Sequence, residues 1–443
     1  MGTEAAGTGA VNPVHSIDFA IARSSHEEIG FLAQSRRCRN LWIVGFALIA
    51  LMLKLVIAFN TVGTNDAVVF YGFAKVLSQH GLEWAYRHSM YLNHPPLIAY
   101  FLRGIYALSE QRWCQGIGVH FPFLLRLPGI IADFLVVLVL LRITKTDLHI
   151  PTWALALFAL SPVSLMVSGF HGNTDPVMVM FLMLAAYMCL RDRPLLCAIF
   201  FALSCQIKII PLLLLPILFF FWLSRQAAPR FTIPFILLTV AMWIQPLIRF
   251  PMLFLRNVLG YSSYWGVWGI TYWLRLTHWG QFYGTGTGHL PPAVAATTLA
   301  FKCSIAVAVL LLAWRRRLLD GRGAIDSIAY AWMTFFVFSP GISAQYMVWL
   351  APFALLLSPS FYAWVTATSS LFLFAFYNAI AGGLPWYLAI SSNNLEKIDL
   401  WAPWSLWPWA TLILGLILLW KKAIITDSSL RLFSLRTLGA QSA

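Results

Sequence analysis

Charged residues are scarce in this sequence, and acidic residues are scarcer than basic ones. Only 10% of the 443 residues are charged, with 16 Asp and Glu against 30 Lys and Arg, while 60% are hydrophobic. A soluble core could not bury so much apolar surface, and apolar stretches of roughly 20 residues recur along the chain. Because helices satisfy their own backbone hydrogen bonds in lipid, the composition predicts an all-α polytopic membrane protein.

Cysteine patterns and nucleotide-binding motifs are also missing. The six cysteines form no C-x-x-C pair, which argues against a disulfide framework and against a zinc site. The chain has no P-loop and no G-x-G-x-x-G motif after a strand, so a sugar nucleotide is not the expected donor. The sequence predicts no cofactor and no metal site, although a requirement for metal stays open.

Basic residues predict the topology. Arg36, Arg37 and Arg39 precede the first apolar run, and further basic clusters recur between later runs. The net charge of +14 therefore marks cytoplasmic loops facing anionic lipid, not a nucleic-acid surface. The pattern predicts about twelve spans, with both termini inside. They are expected at 41–60, 122–142, 151–169, 176–191, 194–208, 209–224, 231–249, 292–313, 324–340, 343–358, 360–381 and 401–420.

The chain is expected to form one membrane domain with two short tails. Residues 1–40 form a cytoplasmic N-terminal tail, predicted as a flexible arm, and residues 423–443 form a cytoplasmic C-terminal tail. Residues 41–422 form the transmembrane domain. Its two largest outer loops are residues 61–121 and the aromatic segment 250–291.

The first outer loop is predicted to contain two juxtamembrane helices, at 66–80 and 95–109. The apolar part of the second, 97–108, is only about 12 residues long and carries Arg103. A segment of that kind favours an interfacial helix over a span. Counting it as a span would also invert the charge pattern of every later loop.

With this topology, unusual polar residues converge on the outer side of the membrane. Charged groups at membrane depth cost a few kcal/mol each, so they usually face a cavity or a partner. Span two carries Arg126 near its outer end, and the other candidates lie in outer loops and turns. These are Asp66, His94, His171, Asn173, Asp175, Lys208, Arg249, Arg256, Gln345 and Tyr346.

Structural roles compete with functional ones for several of these residues. Asp66 could simply cap the helix that follows it, and Asp175 before Pro176 suits a helix start. Arg126 and Asp133, two helical turns apart, could form a structural polar stripe, and His94 could belong only to a loop. Lys208 is the hardest to explain structurally, because positive charge is disfavoured on the outer side.

The polar set fits transfer of a group carried on a membrane lipid phosphate. A carboxylate at the membrane boundary can act as general base toward a hydroxyl acceptor. Lys and Arg on the same side can hold a phosphate and stabilise it as a leaving group. The tail of such a lipid would enter a groove between spans.

Several short motifs resemble the integral-membrane GT-C glycosyltransferases, which use polyprenyl-phosphate or dolichyl-phosphate sugars. The chain is most similar to bacterial family 87 mannosyltransferases and to the catalytic subunit of GPI mannosyltransferase I. One departure is that Asn65 precedes Asp66 where many relatives have two adjacent acidic residues. The motifs lie at Asp66 and the two juxtamembrane helices, and at 94–97, 126–133, 171–175, 208–211 and 345–349.

The resemblance implies a GT-C fold and a role for each candidate residue. Asp66 would be the catalytic base, and the loss of the second acidic residue argues against a metal held by an Asp pair. Lys208, with Arg126, Arg249 or Arg256, would bind the donor phosphate. The sugar or acceptor site would be lined by His94, His171, Asn173, Asp175, Gln345 and Tyr346.

The implied activity is transfer of a sugar, most simply mannose, from a polyprenyl-phosphate carrier to a lipid or glycan hydroxyl with inversion. The aromatic segment 261–283 is a candidate acceptor platform, although an interfacial aromatic belt explains it as well. A transporter or flippase of lipid-linked saccharides is the alternative, but no repeat relates the two halves. The short loops favour a bacterial plasma membrane, with the site facing the periplasm, over the endoplasmic reticulum.

Overall fold

The computed structural model describes residues 13–89, 91–146, 148–260, 267–268, 292–390, 400, 402–419 and 421, with side chains from residue 37 onward except at 146, 293 and 294. It is built almost wholly of helices. The first ten are α1 Pro13–Asn60, α2 Asn65–His88, α3 Pro96–Ser109, α4 Arg112–Gly116, α5 Phe121–Thr146, α6 Thr152–Ala159, α7 Pro162–Ser164, α8 Asp175–Leu190, α9 Pro194–Ile207 and α10 Leu215–Ser224.

The remaining helices complete the bundle, with short irregular turns between some of them. They are α11 Ala228–Arg249, α12 Pro251–Phe254, α13 Pro292–Arg316, α14 Gly321–Phe338, α15 Met347–Leu357, α16 Pro359–Ala381 and α17 Ala402–Leu419. The π-helical turns are Leu165–His171 and Leu255–Leu259, and the 3-10 turns are Ile210–Leu214 and Ala344–Tyr346.

Seven helices within the described ranges are long and apolar enough to cross a membrane, so the protein is an all-α integral membrane protein. They are Arg37–Asn60, Phe121–Lys145, Thr152–His171, Ala228–Arg249, Ala295–Arg316, Pro359–Ala381 and Ala402–Leu419, and each coincides with a predicted span. The other five predicted spans also fall on helices. Four of these are shorter, and α14 is less apolar because it holds Arg322 and Asp326. The count of twelve therefore stays a prediction.

Helix α8 lies at the centre of the bundle. It packs against α5, α9, α14 and α15, and most of its side chains are buried. By contrast, α11, α13 and α17 bury only 22–28% of their apolar windows, and their other side chains are exposed or partly buried, which suits helices that face lipid. The N-terminus of α8 therefore brings Asp175 into the middle of the protein.

A short parallel pairing ties the first outer loop to the segment after α16. Strand β1 is Gly63–Thr64 and β2 is Leu388–Ala389, with Gly63 opposite Leu388. Gly63 has φ +100, and a Cβ at this position would lie 2.5 Å from the carbonyl oxygen of Phe170. Only glycine fits there, and the close approach places the start of α2 directly against the π-helical turn.

Both predicted juxtamembrane helices are present as α2 and α3. Helix α2 bends at Gly81, where φ is +80, so its first part corresponds to the predicted segment 66–80. The predicted N-terminal tail is helical from Pro13, because α1 begins there and runs without a break into the first span. Proline suits the first turn of a helix, and the residues that follow include strong helix formers such as Ala and Glu.

Lys54, in the middle of the first span, is paired. Its ammonium lies 2.6 Å from the Asp133 carboxylate and donates to the Ser164 hydroxyl at 2.6 Å. Asp133, which was considered part of a structural polar stripe with Arg126, therefore helps to join α1, α5 and α7. Pairing keeps the charge tolerable at membrane depth.

Candidate functional site

A cavity of about 940 Å³ opens beside the first turn of α2. Apolar side chains of α2, of the 3-10 turn 210–214 and of α13 form much of its wall. Six of the predicted site residues also line it: Asp66, His94, Asn173, Lys208, Gln345 and Tyr346. This mixture suits a ligand that joins a polar, charged group to a hydrocarbon chain.

Asp66 is held in place by the residues around it. The Thr64 hydroxyl accepts a hydrogen bond from the Asp66 backbone N–H at 3.3 Å and donates to the His171 carbonyl at 2.8 Å. Asp66 thus lies in the first turn of α2, where the helix dipole favours a negative charge. Thr64, and not Asp66, is the N-cap, so the capping alternative for Asp66 is not needed.

The two oxygens of the Asp66 carboxylate have different surroundings. Oδ2 accepts from His171 Nε2 at 3.1 Å, from Asn173 Nδ2 at 2.9 Å and from Gln345 Nε2 at 3.4 Å. Within the described part of the chain, Oδ1 has no hydrogen-bond partner, and the side chain is 30% exposed. One oxygen anchors the carboxylate, and the other is available to a ligand.

The protonation of Asp66 reflects opposing influences. Burial acts to raise its pKa, but the hydrogen bond and charge of His171 outweigh that effect, together with the charge of Lys208 and the hydrogen bond from Asn173. The net result is a pKa below the usual range of a carboxylic acid. Asp66 is therefore an ionised proton acceptor at neutral pH.

His171 does not line the cavity but lies behind Asp66. The π-helical turn ends at His171, and Gly172 follows with φ +87. Nδ1 of the ring is 2.7 Å from the hydroxyl of Tyr377 on α16. Sequence reasoning missed Tyr377, because a tyrosine in an apolar span has no local signal to distinguish it from core packing.

Lys208 reaches the cavity from the turn between α9 and the 3-10 helix. Its ammonium is 2.8 Å and 2.9 Å from the two oxygens of Asp175, whose side chain is fully buried. Asp175 also accepts from the Trp349 indole. The ammonium further lies 4.9 Å from the ring centroid of Tyr346, a cation–π distance. Asp175 thus fixes Lys208 and does not itself line the cavity.

His94 lies in the cavity wall, and the described part of the chain leaves one of its ring nitrogens without a partner. The Tyr86 hydroxyl donates to the His94 carbonyl at 2.7 Å, and the ring packs edge-on against Phe70 at 5.3 Å between centroids. Burial, followed by the charge of Lys208, lowers the pKa of His94 to about 3 despite the opposing charge of Asp66. Its Nδ1 is buried and has no hydrogen-bond partner among the described residues. The neutral ring can therefore bond to a ligand.

Arg126 has a different role from the predicted phosphate binding. Its buried guanidinium donates to the carbonyls of Ala58 and Thr61 at the end of α1, and to those of Gly169 and Phe170 at the end of the π-helical turn. A cation at two helix C-termini stabilises both. Arg126 does not line the cavity, and its donors are engaged by the backbone, so phosphate binding by Arg126 stays a prediction that these contacts do not favour.

Arg249 and Arg256 are likewise not brought to the cavity. Arg249 is exposed at the last residue of α11. Arg256 donates to the Tyr86 carbonyl at 3.1 Å and to Asn257 at 3.1 Å. Most of the proposed aromatic platform lies outside the described residues. Of it, Trp268 is buried and donates to the Phe336 carbonyl.

Lys302 is a cavity residue that sequence reasoning missed. It lies on α13 and lines the same cavity as Lys208, one helical turn before Ile305. A lone lysine inside an apolar span was the available signal, because such a charge usually faces a cavity or a partner.

Comparison with known proteins gives one family match. Residues 76–225 match the MptA_B family, described as alpha-(1->6)-mannopyranosyltransferase, N-terminal domain. The matched region includes His94, His171, Asn173 and Lys208 but begins after Asp66. No curated protein matches the chain significantly. The match covers 150 of the 443 residues and agrees with the resemblance to GT-C mannosyltransferases. It supports a glycosyltransferase activity for this integral membrane protein.

Proposed function

We propose that this protein transfers a mannosyl group from a polyprenyl-phosphate carrier to a hydroxyl of a lipid or glycan acceptor, with inversion at the anomeric carbon. The proposed site faces the outer side of the membrane, which in a bacterial cell would be the periplasm. The observation that carries the proposal is that the ionised carboxylate of Asp66 and the ammonium of Lys208 line the same cavity, whose wall is largely apolar.

The proposed step is a single displacement. The acceptor oxygen attacks the anomeric carbon while Oδ1 of Asp66 takes its proton. The bond between the anomeric carbon and the phosphate oxygen breaks, and polyprenyl phosphate leaves with the electron pair. Attack from the face opposite the leaving group inverts the configuration. The three donors on Oδ2 support this role, because they leave Oδ1 as the oxygen open to the acceptor.

Lys208 and Lys302 are the proposed ligands of the carrier phosphate. They are the basic residues that line the cavity within the described chain, and Asp66 is the acidic one. Asp175, behind the cavity, balances much of the charge of Lys208. A single phosphodiester, with one negative charge, fits this balance better than a diphosphate. The apolar wall beside Lys302 offers a path for the hydrocarbon tail.

The sugar and acceptor are proposed to bond to His94, Asn173 and Gln345. The unsatisfied Nδ1 of His94 supports this role, since a sugar hydroxyl can donate to it. Tyr346 lines the cavity with one ring face stacked on Trp349 at 3.9 Å between centroids, so a sugar ring would contact the part of the Tyr346 ring that Trp349 leaves uncovered. Asn173 and Gln345 also hold Asp66, so they would link recognition to the base.

The proposal is tested by transfer from defined donors. Purified protein in liposomes would receive radiolabelled mannose as polyprenyl-phosphate-mannose, polyprenyl-diphosphate-mannose or GDP-mannose, with membrane lipids as acceptors. Transfer only from the first donor, with a product of inverted anomeric configuration by NMR, is expected. Transfer from GDP-mannose would contradict the proposal. Movement of labelled lipid across the bilayer without transfer would support the transporter alternative.

A further inference from the structure

A buried tyrosine continues the hydrogen-bond chain behind the base. The Tyr377 hydroxyl lies 2.7 Å from Nδ1 of His171, and Nε2 of the same ring lies 3.1 Å from Oδ2 of Asp66. The tyrosine ring is fully buried, packed 5.5 Å from Phe170 and 5.6 Å from Trp386. The proposed reaction has no direct use for this hydroxyl, because it does not line the cavity.

The geometry fixes which nitrogen of His171 carries hydrogen. Nε2 must be protonated to donate to the ionised Asp66 carboxylate. In the neutral ring, Nδ1 then carries a lone pair, and the Tyr377 hydroxyl satisfies it by donating. In the charged ring, Nδ1 instead donates to the same hydroxyl, so Tyr377 partners Nδ1 in either state. Without that hydroxyl, the tautomer with hydrogen on Nδ1 becomes accessible. It would turn a lone pair of Nε2 toward the carboxylate, which repels it.

We propose that Tyr377 is a positioning residue that acts through His171 to keep Oδ2 of Asp66 hydrogen-bonded and Oδ1 directed to the acceptor. The inference rests on the proposed function, in which Asp66 is the base. It deepens that function by extending the catalytic unit from the first outer loop to α16. The π-helical turn and α16, which carry His171 and Tyr377, both pack against the core.

Other charged groups lie near the hydrogen bonds that join Tyr377, His171 and Asp66, and they also influence how activity depends on pH. Asp66 faces His171 from α2, and Arg126 of α5 donates to the carbonyls of Gly169 and Phe170 just before it. Lys208 and Asp175 are close enough to influence Asp66 and Tyr377, respectively. Removing the Tyr377 hydroxyl leaves Arg126, Lys208 and Asp175 in place, so a shift of the pH profile reports on the contact between His171 and Asp66.

The test is Tyr377→Phe, which keeps the ring contacts and removes only the hydroxyl. We expect kcat to fall by roughly 5- to 50-fold, as for a lost buried hydrogen bond, with little change in KM for polyprenyl-phosphate-mannose. Losing the fixed donor raises the pKa of Asp66, so the acid limb of the kcat/KM profile should move to higher pH. The position of that limb does not depend on how much of the protein is folded.

Two further variants separate positioning from a purely structural role. Tyr362→Phe, roughly 22 Å earlier on the same helix by its rise per residue, is the matched control and should leave the profile unchanged. In a His171→Gln background, which has no tautomers, Tyr377→Phe should cause no further shift of the limb.

An acid limb that coincides with that of the wild type would overturn the inference, as would an equal shift in the His171→Gln background. Failure of the proposed function is read separately, from full activity of Asp66→Asn. The inference on Tyr377 fails alone if Asp66→Asn is inactive while the limb of Tyr377→Phe stays in place.

Discussion

Lys208 and Asp175 form an ion pair in which the ammonium is nearly equidistant from both carboxylate oxygens, at 2.8 Å and 2.9 Å. Asp175 is completely buried, whereas Lys208 is 14% exposed at the cavity. Asp175 therefore contributes to the packing of the core, whereas Lys208 can contact a ligand in the cavity. A single substitution at either position mixes the two effects, and the experiments below are designed to separate them.

Lys208→Ala should abolish most donor use, but it also leaves Asp175 charged and unpaired in the core, which costs roughly 3–5 kcal/mol of stability. The double variant Lys208→Ala/Asp175→Asn removes that charge. We expect the double variant to regain thermal stability while its KM for polyprenyl-phosphate-mannose stays at least 10-fold raised. Lys208→Arg should recover part of the donor binding. Recovery of transfer by the double variant would reassign Lys208 to folding alone.

Asp66→Asn tests the base directly. Asparagine keeps the shape of the side chain but cannot accept the acceptor's proton, so kcat should fall by roughly 10²- to 10⁴-fold. Binding of the polyprenyl-phosphate sugar should stay nearly unchanged, because the lysines are untouched. Transfer of radiolabelled mannose at matched protein levels measures the first, and donor binding measures the second. Robust transfer by the asparagine variant would end the assignment and direct attention to Asp175.

The lowered pKa of His94 predicts how stability depends on pH. Its pKa is about 3 in the folded protein, whereas an unfolded histidine titrates near 6.5. Between these values the unfolded chain binds a proton that the folded protein does not, so stability falls as pH drops below about 6.5. For one group the slope approaches roughly 1.4 kcal/mol per pH unit. We expect His94→Gln to show a smaller loss of Tm between pH 7 and pH 5 than the wild type.

The exposed His88→Gln variant is the control for that experiment, because its ring is outside the cavity. The Tm of the solubilised protein would be measured for all three proteins in the same detergent. An identical pH slope in the wild type and in His94→Gln would show that His94 is not the group responsible. Asp66 adds no loss in this pH window, because its pKa is shifted downward.

Arg126→Met separates the structural role of Arg126 from phosphate binding. The substitution leaves several buried carbonyls without a donor, so we expect a large fall in Tm and in the amount of folded protein. Residual folded protein should bind polyprenyl-phosphate-mannose with near wild-type affinity. A stable variant with weakened donor binding would instead restore the prediction made from sequence.

Topology is testable independently of function. Reporter fusions at Gly81 and Asn173 should lie outside, and fusions at Lys145 and Asp320 inside, because loops rich in Arg and Lys stay in the cytoplasm. A cytoplasmic reporter placed at residues 110–120 would show that α3 crosses the membrane. The shared outer face of the site residues would then be lost.

Local patterns in the sequence predicted the helices well, since runs of apolar residues and charged loops need no knowledge of packing. Both juxtamembrane helices follow the predictions. Six residues that the sequence singled out line one cavity, and their roles stay predictions: Asp66, His94, Asn173, Lys208, Gln345 and Tyr346. The helix from Pro13 was not expected, although a polar composition does not exclude a helix that continues from a span.

The contacts of several site residues depend on long-range packing, which local sequence patterns do not show. Arg126 and Asp175 are of residue types that often bind substrates. In this fold, Arg126 donates to backbone carbonyls and Asp175 pairs with a lysine, and these partners come from distant segments of the sequence. Tyr377 lies in an apolar span where no neighbouring residue marks it, and the charge of Lys302 does not by itself tell a cavity from a partner. Only the fold shows which side chain turns toward the cavity and which toward another helix.

The contacts of Arg126 have a consequence for how the enzyme would be inactivated. Asp66 and His171 are 105 residues apart in sequence, yet one guanidinium fastens the chain just before the first to the turn that carries the second. Their mutual orientation is thus established once, during assembly of the bundle, and does not have to be recreated in each catalytic cycle. Mild heat or detergent that loosens this corner should silence turnover while most helices remain intact.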